Sequence, residues 1–344
     1  MRLRLSYLLN LNLNLNLTIL IQEAIVKLID IYRNVVLFGM EQDPRGKDSV
    51  KKELLRAKNE YEKLNAKDKE FYDEERLKNP YSDTRILAGK EDSEIKTILV
   101  GVDIEVGEIV LADRLIGKGE KIDLVMTHHP EGLALAGFFN VMYMQVDILN
   151  KLGVPINVAE SLMHERIREV ERKVMPANHT RAVDAAKLLD INFMSCHTPA
   201  DNCVATYLQD LMDKKKPNTL GDIINILREI PEYNAAAKQN AGPKITSGDN
   251  SSKAGKVFVD MTGGTEGSKD IFKKLSEARV STLVCMHLSE EHFKKAQEEH
   301  MNVVIAGHIA SDNVGLNIMI DELEKKGKFK MLVCSGFRRF SRKK

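Results

Sequence analysis

Apolar residues recur along this chain with two different periods, and the switches between them set out the fold. Val50, Leu54, Leu55, Ala57, Tyr61, Leu64 and Phe71 keep helical spacing inside a Lys- and Glu-rich stretch. Residues 46–78 are therefore expected to form an amphipathic helix or helix pair, closed by Pro80. A compact body starts near Tyr81. Short β-branched or apolar runs at 85–89 (RILAG), 97–102 (TILVGV) and 123–127 (DLVMT) predict strands, with a helix over 106–118 between the last two. Strand, helix, strand makes a βαβ unit and hence a parallel sheet.

Helical periodicity then dominates 140–151, 160–173 and 181–189, before another strand at 191–195. Residues 204–230 are again helical. The polar stretch 235–256, with Gly242, Pro243, Gly248 and Gly255, is the best linker candidate in the body. After it the first pattern returns, as a strand at 257–260 (VFVD), a helix at 269–279 and a strand at 282–286 (TLVCM) ending at His287. Asp103 and His128 close the two strands of the first unit, and Asp260 and His287 those of the second. The expected fold class is α/β, two similar halves with mainly parallel sheets and a site at strand carboxyl ends between them. The alternative is that any two βαβ units look alike.

These patterns divide the chain into five parts. Residues 1–39 form a low-complexity leader, with strict Leu/Asn alternation at 9–17, and translation is expected to begin at Met40. Residues 40–79 are a charged helical extension, 80–234 a first α/β half with a helical insert, 235–256 the linker, and 257–344 a second half with a basic tail. Arg338, Arg339, Arg342, Lys343 and Lys344 in that tail read as a solvated terminus. Composition changes this picture little. Charged residues make up 29% and the net charge is +1, so nothing global points to nucleic acid or to an anionic membrane. No run approaches the ~20 apolar residues of a membrane helix. The four scattered cysteines, Cys196, Cys203, Cys285 and Cys334, contain no C-x-x-C pair and suit a reducing, cytoplasmic setting.

Three strand ends carry candidate chemistry. His128-His129-Pro130 follows the strand at 123–127, and ligand sites in α/β sheets lie at such carboxyl ends. Neutral imidazole is a common ligand for borderline metals. The alternative is a pair of satisfied polar histidines. His197 and Asp201 follow the strand at 191–195, four residues apart, and a carboxylate there can bridge two ions. Alternatively Thr198 or Asp201 is a helix N-cap. His308 and Asp312 follow the strand at 302–306, on one face of a helix if one starts there. The alternative makes Ser311 or Asp312 the N-cap of a helix over 314–326. Taken together, His128, His129, Asp201, His308 and Asp312 form a ligand set for two divalent metals.

The H-H-P of 128–130, the H-T-x-x-D of 197–201 and the G-H-x-x-x-acid of 307–312 resemble, in this order, the motifs of the Nif-three-like dinuclear metal-centre family, the GTP cyclohydrolase I type 2 homologues. The resemblance covers residues 80–338. It implies that His128 and His129 each hold a metal, that Asp201 bridges, and that His308 and Asp312 complete the pair. It also implies two similar α/β halves and a homo-oligomer, a toroidal hexamer with its sites facing an inner cavity. The chain departs from the family in having Asp312 where Glu is usual, HTPAD where HTNLD is usual, and a long helical stretch between His129 and His197.

Some candidates remain beside these. The Gly-rich run 261–267 (MTGGTEG) could cradle a phosphate, but it lacks both the Walker lysine spacing and G-x-G-x-x-G, and reads more plainly as a tight turn. His287 is a candidate proton shuttle or outer partner of the ligands. His164, His179, His292 and His300 sit in charged, helical surroundings and read as surface residues. The expected cofactors are two divalent ions per chain, of Zn, Fe, Mn, Co or Ni. The expected activity is metal-dependent hydrolysis of a small nucleotide-like or phosphorylated substrate. The rival is a metal-binding regulator or scaffold without turnover.

Overall fold

The computed structural model describes residues 25–343, and the Leu/Asn repeat lies outside them. Nine strands form two sheets among the described residues. The first half supplies β1 (Arg85–Ala88), β2 (Thr97–Gly101), β3 (Leu124–Thr127) and β4 (Phe193–Ser195). The second supplies β5 (Lys244–Ser247), β6 (Lys256–Asp260), β7 (Val280–Cys285) and β8 (Asn302–Ile305), and β9 (Lys330–Cys334) comes last. The sheet orders are β1-β4-β3-β2-β9 and β5-β8-β7-β6. Each half thus repeats one scheme, in which three parallel strands are flanked by an antiparallel edge strand that comes first in sequence.

Alternation along the strands explains the layering. Ile98, Val100, Leu124, Met126 and Met194 enter one apolar cluster, while Leu99, Val125 and Phe193 enter another. A sheet buried on both faces needs cover on both. On the outer face that cover includes Ile109 and Ala112 of helix α2 (Val106–Gly117). On the inner face it comes from α1 (Leu28–Glu41), α3 (Thr198–Lys215) and α5 (His308–Leu323). The far sides of α3 and α5, through Val204, Leu208, Met212 and Val314, pack on Val259, Val284 and Val304 of the second sheet. Helices α3 and α5 therefore form the central layer between the two sheets. They cross very closely, because a Cβ on Gly315 would lie 2.3 Å from the carbonyl oxygen of Ala200.

That crossing gives a test. Gly315→Ala must push α3 from α5, at a cost of about 1–3 kcal/mol for overpacking. The melting temperature should drop by several degrees, read by calorimetry, and an unchanged value would show that the helices can yield there.

Several expectations need correction. Residues 28–39, taken as part of a leader, lie in α1, whose Leu28, Ile31, Tyr32, Val35 and Val36 are core residues. The supposed linker holds β5 and the end of a helix at Pro231–Ala237. The second half does not run to the terminus, since β9 returns to pair with β2 of the first sheet. At the third motif, by contrast, the preferred reading holds: the final helix begins at His308, and the alternative N-cap at Ser311 or Asp312 is not formed. The basic tail is exposed at Arg338, Arg342 and Lys343 but also pinned: Arg342 pairs with buried Glu232 at 2.8 Å, and Arg339 with Asp321 and Glu324. Strand register also revises the matching of the halves. Gly101 pairs with Thr127 and Asp260 with Cys285, so His287 corresponds to His129 rather than to His128. No helix among the described residues is long and apolar enough to cross a membrane.

Candidate metal centre

Three loops at strand carboxyl ends bring the five expected ligands together. His128 and His129 directly follow β3, Asp201 sits in the first turn of α3, and His308 and Asp312 open α5. Gly307, at φ 110°, makes the turn from β8 into α5; that backbone, with the carbonyl of Ala241 2.5 Å from a would-be Cβ, requires glycine. His128 Nε2 lies 3.4 Å from Asp201 Oδ1 and 3.5 Å from Asp312 Oδ1. His129 Nε2 and His308 Nε2 lie 3.7 and 3.8 Å from Asp312 Oδ2. These spacings are too long for good hydrogen bonds and leave room between ligand atoms.

Burial shows what the arrangement lacks. Five buried side-chain polar atoms among the described residues have no hydrogen-bond partner, and four of them are His128 Nε2, Asp201 Oδ1, Asp312 Oδ1 and Asp312 Oδ2. Buried polar atoms left without partners are rare and costly. A cation between them satisfies all four, and three sets of ligand atoms converge closely enough to hold one: His128, Asp201 and Asp312; His129, His308 and Asp312; and His128, His129 and His197.

The far nitrogens of the imidazoles are already engaged. His128 Nδ1 meets the carbonyl of Cys196 at 3.1 Å, and His129 Nδ1 meets Asp103 Oδ1 at 2.6 Å. His197 Nδ1 meets Asp83 Oδ2 at 2.8 Å. A proton placed on each Nδ1 leaves each Nε2 lone pair facing the cluster, the arrangement usual behind metal-bound histidines. Burial, and then the charge of His128, hold His129 down at about 4, so it is neutral near pH 7. Burial also lowers His308. His128 goes the other way: burial pulls it down, but Asp312 and Asp201 outweigh that and hold it well above its ordinary value. Without a metal, a proton on His128 supplies the positive charge that the carboxylates need.

No family model matches the sequence, and no curated protein does. Solved structures do. A NIF3 superfamily protein from Sphaerobacter thermophilus is 26% identical with a TM-score of 0.65, over 76% of this chain and 93% of that one. In fold and sequence the chain is similar to NIF3 superfamily proteins. Reduced HcgD from Methanocaldococcus jannaschii is 16% identical with a TM-score of 0.45, over 72% of this chain and 87% of that one. A Bacillus cereus protein related to NIF3 is 11% identical with a TM-score of 0.35, over 73% and 89%.

A second group of polar residues stands beside the cluster. The ring of His287 lies 4.8 Å from that of His308, and its Nδ1 lies 3.4 Å from Glu266 Oε1. Glu266 belongs to the Gly-rich run weighed as a phosphate cradle. Its carboxylate accepts the Ser289 amide at 2.5 Å, just ahead of helix α4 (Glu290–Glu298). The run is a pinned turn, with Gln145 donating to the carbonyls of Gly263 and Thr265. His292 is buried, not a surface residue: it bonds Ser289 Oγ at 2.6 Å and the Gly267 carbonyl at 2.9 Å.

Burial alone would push Glu266 up, but His287, the Ser289 amide and His292 hold it at about 2. A carboxylate depressed in the fold stabilises above its unfolded value near 4.5, and that stability is lost as pH falls toward 2. Glu266→Gln should therefore flatten the fall in urea midpoint between pH 5 and pH 3. A variant with the wild-type slope would place the acid sensitivity elsewhere.

Sequence reasoning gave the five clustered residues but left His197 out of the ligand set and did not see Asp83. The His197–Asp201 spacing was a signal for the first. Asp83 had none, since it precedes β1 in a turn and meets His197 across 114 positions.

Proposed function

We propose that the chain binds two divalent metal ions through His128, His129, Asp201, His308 and Asp312, and hydrolyses a nucleotide-like or phosphorylated small molecule. The single observation that supports this most is the set of four orphaned, buried ligand atoms. Two ions held there would supply Lewis acidity and lower the pKa of a water toward ~7. Asp201 and Asp312 bring the negative charge, and the tethered imidazoles of His128 and His129 fix where the ligand atoms point. His287, exposed beside His308 and held by Glu266, is placed to carry a proton to or from substrate. By the resemblance the chain works as a homo-oligomer, a hexamer, and its few scattered cysteines suit the cytoplasm.

Protein loaded in turn with Zn, Mn, Fe, Co or Ni should turn over at least one compound in a nucleotide and phosphoester screen, and Asp201→Ala should not. Wild type that holds two ions yet hydrolyses nothing would favour a metal-binding regulator or scaffold. Metal affinity should also weaken as pH falls, because the proton on His128 competes for the same place. Titration calorimetry in buffers of different ionisation enthalpy would read the proton released.

A further inference from the structure

We infer that His197 is a sixth metal ligand, and that buried Asp83 is the residue that positions it. This rests on the two-metal reading above but concerns residues outside its ligand set. Asp83 is fully buried in the turn before β1. Its carboxylate collects four donors, which fix its plane. Oδ2 accepts His197 Nδ1–H at 2.8 Å and Thr198 Oγ–H at 2.6 Å. Oδ1 accepts the Thr198 amide at 3.4 Å and Thr84 Oγ–H at 3.3 Å. The backbone of His197 is held as well, its amide donating to Thr84 Oγ1 at 3.1 Å. Phe138 packs edge-on against the ring at 5.5 Å.

The imidazole so gripped has one free nitrogen, Nε2. It lies 3.6 Å from Asp201 Oδ2 and converges with the free nitrogens of His128 and His129. The His197 ring is 4.8 Å from that of His128. A histidine with no other task does not need a buried carboxylate to choose its tautomer. The pattern of carboxylate, Nδ1–H and free Nε2 is the one that raises imidazole basicity toward a metal. The same device serves His129 through Asp103. His197 at the N-cap and Asp201 in the first turn of α3 would then hold one ion between them.

Cobalt(II) provides a readout independent of turnover, since its visible absorption reports ligand number and type. Full-length wild type, titrated with cobalt alone, should take up two ions per chain. His197→Gln should still bind through the remaining five residues, but with one site weakened by about 10–100-fold and its visible bands shifted. Asp83→Asn should move the same bands in the same direction by less. Added imidazole should restore the wild-type bands in His197→Gly and leave Asp83→Asn unchanged. A His197→Gln spectrum and both affinities equal to wild type would overturn the assignment while leaving the five-residue site standing. Wild type that takes up no cobalt would overturn both. If the His197 variants fail to fold, Asp83→Asn decides, because unmoved bands in a folded protein would remove the positioning role.

Discussion

Asp312→Asn should melt at one temperature with or without added metal, while the wild type loses on the order of 10 °C when its ions are stripped by chelator. The expectation follows from where Asp312 stands. Its side chain is fully buried, neither oxygen has a hydrogen-bond partner, and both oxygens face histidine nitrogens. An amide of the same shape preserves the packing and removes the charge, so each protein is compared with its own metal-free form. The loaded forms should differ greatly. An ion at 100 to 1,000 times its Kd stabilises the fold by about 3–4 kcal/mol. At this chain length each kcal/mol moves the melting temperature by a few degrees at most. Calorimetry on both proteins, with and without chelator, measures the two shifts. A wild type indifferent to chelator would mean that the orphaned atoms are satisfied by something other than a cation. A variant that keeps the full shift would remove Asp312 from the ligand set.

A chain beginning at Met40 should fail to fold. Leu28, Ile31, Tyr32, Val35 and Val36 of α1 are buried against the first sheet, in the cluster that also holds Ile98, Val100 and Met126. Side chains of this kind contribute about 1.5–3 kcal/mol each on burial, so their joint loss is roughly 7–15 kcal/mol. That equals the whole stability of an ordinary domain. The deletion also strips Asn202, in the first turns of α3, of the Gly39 carbonyl it bonds at 3.1 Å. Expression of the truncated protein should give insoluble material or a loose state without a cooperative melt. A soluble truncation with a sharp transition would show that the first sheet can close without α1.

Why was α1 missed when its apolar spacing is regular? The Leu/Asn alternation at 9–17 is so strong that the whole leader reads as one compositional block. Within residues 28–39 the helical stripe is present, but it faces partners at 98–126 and 316–323 that local pattern cannot reveal. The strands at 97–101 and 124–127 were legible for the opposite reason, since uninterrupted Val, Ile and Leu flanked by turns leave few alternatives. β9 was hidden among charged residues, and nothing local says that Met331 and Val333 pair with Ile98 and Val100. The site divides in the same way. His-His-Pro and the two His-x-x-x-Asp spacings name the residues that touch one another. The outer partners, Asp83 above all, are set by tertiary placement.

The return of β9 to the first sheet bears on how such a repeated chain can come apart. The second half lies between two segments, β2 and β9, that are stitched side by side. Its sheet cannot be peeled off as a bead from a string, because both strands of that stitch would have to be released first. With α3 and α5 interlocked at Gly315, the two repeats share one fate. A circular permutant opened in the connection between them, with the old ends joined, would keep the stitch. Two separate polypeptides cut at the same place would each inherit part of the His/Asp cluster, the first with its sheet short of β9 and the second carrying β9 without its partner β2.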